Sequence, residues 1–168
     1  WECVKSVSAY TGCNNLIMDP RDPKVLYAAF HQRQRKVFTY IGGGPESAVY
    51  KTTDGGATWK KMEGLPSGDV GRIGIDISPA NPDWVYAVAE APEGKGGVYR
   101  STDRGGSWEK MGNTMTSGNY YQELTCDPVN PSRIFITDTY YKVSDDGGKT
   151  MRNLGENNKH IDNHCVWI

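Results

Sequence analysis

Residues 101–108 read STDRGGSW, and two further stretches follow the same pattern, TTDGGATW at 52–59 and SDDGGKTM at 144–151. Each places a hydroxyl residue first, an aspartate third, a glycine fifth, a hydroxyl residue seventh and a large apolar residue eighth. Glycine tolerates positive φ, and a short carboxylate accepts backbone N–H groups, so each stretch predicts a tight turn. One turn that occurs three times predicts a repeat architecture.

A second motif precedes each turn: DPRDP at 19–23, SPANP at 78–82 and DPVNP at 127–131. A short alternating apolar run comes before each of these proline motifs, and strand-like runs such as KVLYAAF and DWVYAVA come after them. The unit therefore holds four short strands, which is the content of one β-propeller blade. Because no segment keeps a 3.6-residue apolar period, we expect almost no helix.

Composition sets limits on the partners. The 168 residues carry a formal net charge of -1, which gives no electrostatic reason to expect nucleic acid or an anionic membrane as a partner. There is no apolar run of about 18 residues that would predict a transmembrane helix, so we expect no membrane insertion. The N-terminal residues also show no signal-peptide pattern.

The three turns match the Asp-box, also called the BNR repeat, and are named Asp-boxes below. The surrounding four-strand unit resembles the blades of Asp-box β-propellers, a group that includes sialidases, xyloglucanase-like glycosidases, sortilin-type receptor ectodomains and secreted bacterial BNR-repeat proteins. The resemblance implies an all-β propeller that is secreted, periplasmic or at the cell surface. It implies no single chemistry, because these families share the turn and not a reaction.

Within each Asp-box the aspartate is predicted to fasten the hairpin by accepting backbone N–H groups. Three equivalent acids in three blades cannot share one active site, so a catalytic role is disfavoured. The residues expected to hold the turns are Thr52, Asp54, Gly56, Trp59, Ser101, Asp103, Gly105, Trp108, Ser144, Asp146 and Gly148.

The repeats predict three complete four-stranded blades with one flanking strand at each end. The sequence WECV at 1–4 aligns with WKKM at 59–62 and WEKM at 108–111, which begin with the last residue of an Asp-box, so Trp1 is expected to end an earlier Asp-box. A propeller needs about 4–8 blades to close, so we expect the remainder of a longer propeller chain as a partner. The predicted units are an outer strand at 1–12, blades at 13–63, 64–112 and 113–155, and an inner strand of a following blade at 156–168.

In a four-stranded meander the proline motifs and the Asp-boxes are the first and third connections, so they should share one face. The second connections vary in length and lie on the opposite face, here called the top face, where binding is expected. Arg33 and Arg35 could bind an acidic partner or a carboxylate through their guanidinium groups. Tyr120 and Tyr121 could stack on sugars or anchor a protein. A solvated loop and packed tyrosines are the alternatives.

The stretch HIDNH at 160–164 places His160, Asp162 and His164 in alternation, so an extended segment would point all three the same way. We predict a polar cluster at the channel mouth on the top face. Two imidazoles and a carboxylate could bind a divalent metal, the one cofactor considered, or perform acid–base chemistry. An ordinary hydrogen-bond network is the alternative.

Four cysteines leave three pairings open. Cys3 and Cys13 could bridge the first blade junction in an exported protein, whereas Cys126 and Cys165 are expected to be buried free thiols.

Strong structural motifs without a complete catalytic set favour a binding scaffold for protein or glycan. The alternative is a glycoside hydrolase of the xyloglucanase-like type, with its acid pair partly outside this chain, so whether the protein is an enzyme stays open. Such an enzyme needs two carboxyl groups about 5–9.5 Å apart. The top-face candidates are Glu46, Asp69, Glu90, Glu93, Asp138 and Asp162, and no sequence pattern pairs any two.

Overall fold

The computed structural model describes residues 2–117 and 120–168, and these residues form antiparallel β-sheets with no helix among them. Sheet one holds β1 (Thr11–Asp19), β2 (Asp22–Gln32), β5 (Ala48–Thr52) and β6 (Lys60–Lys61). Between β2 and β5 the chain forms a separate two-stranded hairpin of β3 (Gln34–Lys36) and β4 (Thr39–Ile41). Sheet two holds β7 (Ile73–Ile77), β8 (Val85–Ala89), β9 (Gly97–Ser101) and β10 (Glu109–Gly112). Sheet three holds β11 (Leu124–Cys126), β12 (Ile134–Ile136), β13 (Lys142–Ser144) and β14 (Arg152–Asn153).

Each of the three larger sheets is a meander in which successive strands pair, as the repeat predicted. The strand β8 shows why the sheets stack, because alternate side chains of a strand point to opposite faces. Val85, Ala87 and Ala89 belong to the core shared with sheet one, whereas Tyr86 and Val88 belong to the core shared with sheet three. All five are buried, which accounts for the continuous apolar run VYAVA.

The first strands of the three sheets lie side by side. The Asn14 amide of β1 donates to the Ile73 carbonyl of β7 at 2.9 Å, and the Cys126 N–H of β11 donates to the Asp76 carboxylate of β7 at 2.7 Å. Gly74 allows the closest approach, since a Cβ there would lie 1.7 Å from the Gln122 carbonyl oxygen. The sheets therefore follow one another around their inner strands, which is the arrangement of a propeller.

The flanking segments differ from the prediction. Neither residues 2–7 nor residues 154–168 contain a strand, although 1–12 and 156–168 were expected to supply one each. A strand needs a ladder of backbone hydrogen bonds to a neighbour. The C-terminal segment makes only separate backbone bonds, such as those from Leu154 to Tyr141 and from Asp162 to Thr139. Trp1, the residue proposed to end an earlier Asp-box, lies outside the described part of the chain.

All four cysteines are free thiols. Cys126 is buried as expected, and its burial raises the pKa of the thiol well above its usual value. The expectation for Cys165 was wrong, because this residue is exposed on the C-terminal segment. Cys3 and Cys13 are also exposed and form no bridge.

Candidate functional site

The Asp-box aspartates accept hydrogen bonds within their own turns. Asp54 accepts the Thr58 N–H at 2.9 Å and the hydroxyls of Thr52 and Thr58 at 2.7 and 2.6 Å. The hydroxyl oxygen of Thr52 in turn accepts the Gly56 N–H at 3.0 Å, and Gly56 has a φ of 97°. The same bonds recur around Asp103, with Ser101, Ser107 and Gly105, and around Asp146, with Ser144, Thr150 and Gly148.

This geometry makes the three carboxyl groups more acidic than an ordinary aspartate. Hydrogen bonds from the turn hydroxyls, together with one backbone N–H each, lower the pKa values of Asp54, Asp103 and Asp146 to about 2. A carboxylate that is ionised throughout the physiological range and already bonded to its own turn cannot donate a proton to a substrate. The residue at the seventh position, which the sequence analysis left without a role, supplies two of the bonds in each turn, one from its backbone N–H and one from its hydroxyl.

The eighth residues anchor the turns to the sheets. Trp108 and Met151 are partly buried against the two hydrophobic cores, and the Trp59 indole N–H donates to the Gly56 carbonyl at 3.0 Å. Met151 thus replaces the packing of a tryptophan without its N–H donor.

Each Asp-box is also fixed to the proline motif of its own sheet. The N–H of the fourth turn residue donates to the carbonyl just after the second proline. The three bonds are Gly55 to Lys24 at 2.9 Å, Arg104 to Asp83 at 2.9 Å and Gly147 to Ser132 at 2.8 Å. The Asp-boxes and proline motifs therefore share one face, and the second connections lie at the opposite end of the strands.

The second Asp-box additionally joins sheets one and two. Arg104 adopts a φ of 58°, and its guanidinium lies 2.9 Å from the carboxylate of Asp19, whose side chain is fully buried. Burial raises the pKa of Asp19, but hydrogen bonds from Arg21 and the charges of Arg21 and Arg104 outweigh it and lower the pKa. Tyr27 of sheet one donates its hydroxyl to the Arg104 carbonyl at 2.9 Å. This face of the molecule is occupied by structural bonds.

On the top face, residues from distant parts of the chain meet in one groove. Arg33, Arg35 and Tyr40, from the segment around the β3–β4 hairpin, line it together with Tyr120, which precedes β11. The Arg33 guanidinium lies over the Tyr40 ring at 5.5 Å from its centroid, and Tyr120 is 66% exposed. The structure thus brings together three residues that the sequence analysis selected and adds Tyr40, which belongs to the same basic and aromatic stretch. The groove, called the Arg–Tyr groove below, has no acidic residue among these lining side chains.

A second cavity of about 460 Å³ lies beside this groove. Its wall consists of residues 9–14 together with His31, Arg33 and Arg72, so Arg33 borders both spaces. His31 is buried, and that burial lowers the pKa of its imidazole, so the ring is neutral at physiological pH. We call this space the His31 pocket.

The C-terminal segment forms a third polar cluster. Asp162 accepts hydrogen bonds from the Tyr121 hydroxyl and, at 3.1 Å, lies beside the Nε2 atom of His164, whose ring stacks on Tyr121 with centroids 5.1 Å apart. The Asp162 N–H donates to the Thr139 carbonyl, which places the segment on the top face. His160 is not part of this contact, since its Nδ1 atom faces the Ile161 carbonyl.

The expectation that His160, Asp162 and His164 converge therefore holds for two of the three residues. The segment turns at Asp162, which has a φ of 84°, and a turned backbone does not keep the alternation of an extended strand. Within residues 2–117 and 120–168, no three His, Cys, Asp or Glu side chains are grouped so that they could hold a metal ion.

The top-face carboxyl groups have separate partners. The hydroxyls of Ser8 and Thr11 bond Glu46, Lys95 bonds Glu93, and Lys142 bonds Asp138. The bonds to Glu46 and Glu93 lower their pKa values. None of these contacts places two carboxyl groups opposite each other, which is the arrangement that glycoside hydrolysis needs.

Sequence analysis missed one unusual carboxyl group, Asp76 in the middle of β7. Burial raises its pKa to about 6, although it accepts the N–H groups of Cys126 and Ile77. Its position in the alternating run IGIDI is the only signal in the sequence, because aspartate is unfavourable in a buried strand.

These features define the class: an all-β protein of Asp-box β-propeller type, with a structural face of repeated turns and a variable face that carries cavities. The chain belongs to the Sortilin-Vps10 family, whose model, described as sortilin, neurotensin receptor 3, matches residues 47–167. A comparison with curated proteins gives no significant match.

Solved structures share the fold at low identity. The GH74 enzyme of Niastella koreensis has a TM-score of 0.61 and 20% identity over 88% of this chain and 23% of its own. The GH74 xyloglucanase of Xanthomonas campestris has a TM-score of 0.63 and 18% identity over 89% of this chain and 24% of its own. YCF48 bound to D1 peptide has a TM-score of 0.55 and 16% identity over 85% and 43%. The chain spans less than half the length of each.

None of the described residues lies in a helix long and apolar enough to cross a membrane.

Proposed function

We propose that the three sheets are three blades of a larger propeller that serves as a binding scaffold, and that its top face binds an acidic polypeptide segment of a partner protein. One observation carries the proposal: Arg33, Arg35, Tyr40 and Tyr120 line a single groove, although they come from sequence positions far apart. A partner that crosses this groove would contact the connection between β2 and β5 of sheet one and the segment before β11 of sheet three at the same time.

The chemistry of the groove favours carboxylates. Two guanidinium groups can each form forked, charge-assisted hydrogen bonds with a carboxylate, and such bonds are stronger than neutral ones. Tyrosine side chains supply large contact area at a small loss of rotamer freedom and are enriched at the centres of interfaces. Arg33 already lies over the Tyr40 ring, so part of the groove is ordered before a ligand arrives.

The comparisons support binding without defining it. The family description names a receptor, and one structurally similar protein, YCF48, was solved with a peptide bound. By analogy with the Asp-box propellers, we also propose a secreted, periplasmic or cell-surface location.

The hydrolase alternative has weaker support. The two GH74 neighbours carry the fold, and this chain covers about a quarter of each of them. Asp76, with a pKa of about 6, has the acidity of a general acid, but its carboxylate bonds two backbone N–H groups between inner strands. Hydrolysis and glycan binding are therefore outcomes that the test must be able to detect.

The test is fluorescence anisotropy with a labelled decapeptide of alternating glutamate and glycine, compared with a lysine–glycine decapeptide. We expect saturable binding of the acidic peptide alone, and about tenfold weaker binding after Arg35→Gln, because one charge-assisted bond pair is lost. The matched control is Lys36→Gln, a neighbouring basic residue on the same hairpin that does not line the groove.

Two results would overturn the proposal. Equal affinity for both peptides, or no difference between the Arg35 and Lys36 variants, would remove the groove as the binding site. Release of reducing sugar from xyloglucan, abolished by Asp76→Asn in a protein that remains folded, would favour the hydrolase instead.

A further inference from the structure

The His31 pocket is separate from the Arg–Tyr groove, and its donors and acceptors define a different ligand. Arg33 and Arg72 reach it from sheets one and two. No aspartate or glutamate is among its lining residues. The Arg72 guanidinium lies 3.7 Å from the Glu123 carboxylate, and the Arg72 backbone N–H donates to the Glu90 carboxylate at 3.4 Å. Two guanidinium groups at one cavity supply N–H donors and positive charge, which an anionic acceptor such as a carboxylate would satisfy.

The pocket wall also contains acceptors without donors. The Asn14 amide nitrogen donates to the Ile73 carbonyl, so the atom left without a hydrogen-bond partner among the described residues is the buried Oδ1. The His31 Nε2 atom is likewise buried and has no hydrogen-bond partner among the described residues. A neutral imidazole that carries its proton on Nδ1 presents Nε2 as an acceptor.

Buried polar atoms in native proteins normally have partners, so two unpartnered acceptors beside a cavity point to donors that a ligand brings. A simple carboxylate satisfies the arginines but offers no donor to Asn14 or His31. A neutral sugar offers hydroxyl donors but no charge for the arginines. A molecule that carries a carboxylate next to several hydroxyl groups satisfies both sets.

We propose that the His31 pocket binds a uronic acid residue of an acidic glycan. The carboxylate lies between Arg33 and Arg72, and hydroxyl groups donate to Asn14 Oδ1 and His31 Nε2 after a small rotation of either side chain. Tyr10 lines the pocket and is 54% exposed, so its ring is free to stack on the sugar face. A volume of about 460 Å³ lies within the usual range for small-ligand sites.

This site goes beyond the proposed function and shares only Arg33 with it. Arg72 lines the His31 pocket alone, whereas Arg35 lines the Arg–Tyr groove alone. The two arginines therefore provide a matched pair of substitutions that separates the two sites.

The experiment is isothermal titration calorimetry of the protein with methyl glucuronoside, methyl glucoside and acetate. We expect saturable binding of the glucuronoside, at least tenfold weaker binding of the other two, and loss of at least tenfold in affinity after Arg72→Gln. Arg35→Gln should leave glucuronoside binding unchanged. A thermal melt of each variant checks that it is folded, and Arg72→Lys, which keeps the charge without the forked geometry, should retain only part of the affinity.

The controls decide against the proposal in specific ways. Acetate that binds as well as the glucuronoside would make the pocket a plain anion site. A blocked glutamate, N-acetylglutamate amide, that binds more tightly would assign the pocket to a peptide. If Arg35→Gln weakens the acidic peptide but the glucuronoside does not bind, only this inference fails; if the reverse is found, only the proposed function fails.

Discussion

The two faces of the three sheets differ in how their loops are held. At the Asp-box face, three turns of different sequence repeat one set of hydrogen bonds with lengths that agree within about 0.3 Å, and each turn is bonded to the proline motif of its own sheet. At the top face the second connections of sheets one and three differ: sheet one carries the β3–β4 hairpin, whereas sheet three carries a short turn beside the C-terminal segment.

The two faces also differ in whether their charged side chains are already bonded within the protein. The carboxylates of Asp54, Asp103 and Asp146 accept N–H and hydroxyl groups of their own turns, so they act in stability rather than in ligand binding. The arginines around the top-face cavities instead have few local partners. A rigid, repeated face therefore leaves the other face free to vary, which is where a binding site can differ between related propellers.

The strongest test of the structural face is Gly148→Ala. Gly148 has a φ of 94°, and a Cβ there would lie 2.5 Å from the Val98 side chain, which is rigid and buried. Positive φ and overpacking together should lower the free energy of unfolding by about 2–4 kcal/mol. Urea denaturation measures this loss. Gly55→Ala is the control, because its Cβ would meet nothing within 4 Å, and its cost should be only about 1 kcal/mol. Equal costs would contradict the packing argument.

Asp76 sharpens the comparison because it lies between the faces. Its pKa of about 6 exceeds the value of about 3.9 in an unfolded chain. Ionisation therefore disfavours the fold progressively from about pH 4 to pH 6, and the full penalty persists above pH 6. As the pH rises from 4 to 7, the free energy of unfolding of Asp76→Asn should therefore increase by about 2 kcal/mol relative to that of the original protein. Urea unfolding of both proteins across this range gives the difference, and a constant difference at all pH values would refute the assignment.

Asp103→Ala tests whether an Asp-box acts only in stability. Loss of the acceptor for the Ser107 N–H and two hydroxyls should cost about 1–2 kcal/mol, reduced by the exposure of the turn. Since the pKa of Asp103 is about 2, its contribution is complete above about pH 4 and disappears as the pH falls towards 2. Binding of the acidic peptide should not change. The exposed Asp69→Ala is the control, and a lost peptide affinity with an unchanged melting temperature would reverse the comparison.

The smallest effect on stability is expected at the top face. Tyr120→Ser removes a ring that is 66% exposed, so the free energy of unfolding should change by less than about 0.5 kcal/mol. The acidic peptide should nevertheless bind more weakly, because the ring lines the Arg–Tyr groove. A parallel loss of stability, measured in the same urea experiment, would show that Tyr120 is a packing residue.

Local repetition explains why the sheets were predictable. Turn chemistry and alternating apolar residues act over a few residues, so Asp54 and its equivalents, the shared face of the Asp-boxes and proline motifs, and the strand order could all be derived. Arg33, Arg35 and Tyr120 were selected for their residue types, but their meeting in one groove depends on how sheets one and three approach each other. The sequence pattern within one repeat gives no information on the distance between the loops of two different sheets.

Long-range contacts account for what was missed. The bond between Asp76 and Cys126 joins residues 50 positions apart, and the contact between Arg104 and Asp19 joins residues 85 positions apart. His160 was wrongly grouped with Asp162, since alternation was assumed to continue through a segment that turns. The flanking strands were predicted from similarity to complete repeats, but a strand forms only beside a partner.

The contact between Arg104 and Asp19 has a consequence for the order of folding. Asp19 lies in the first proline motif, and its buried carboxylate receives one of its two arginine partners only when the second Asp-box has formed. Sheet one made alone would hold this charge with Arg21 as its single cation, and Tyr27 would lack the carbonyl that accepts its hydroxyl. Sheets one and two are therefore coupled as one cooperative unit, so that during synthesis on the ribosome the first sheet becomes fully stable only after the second has emerged.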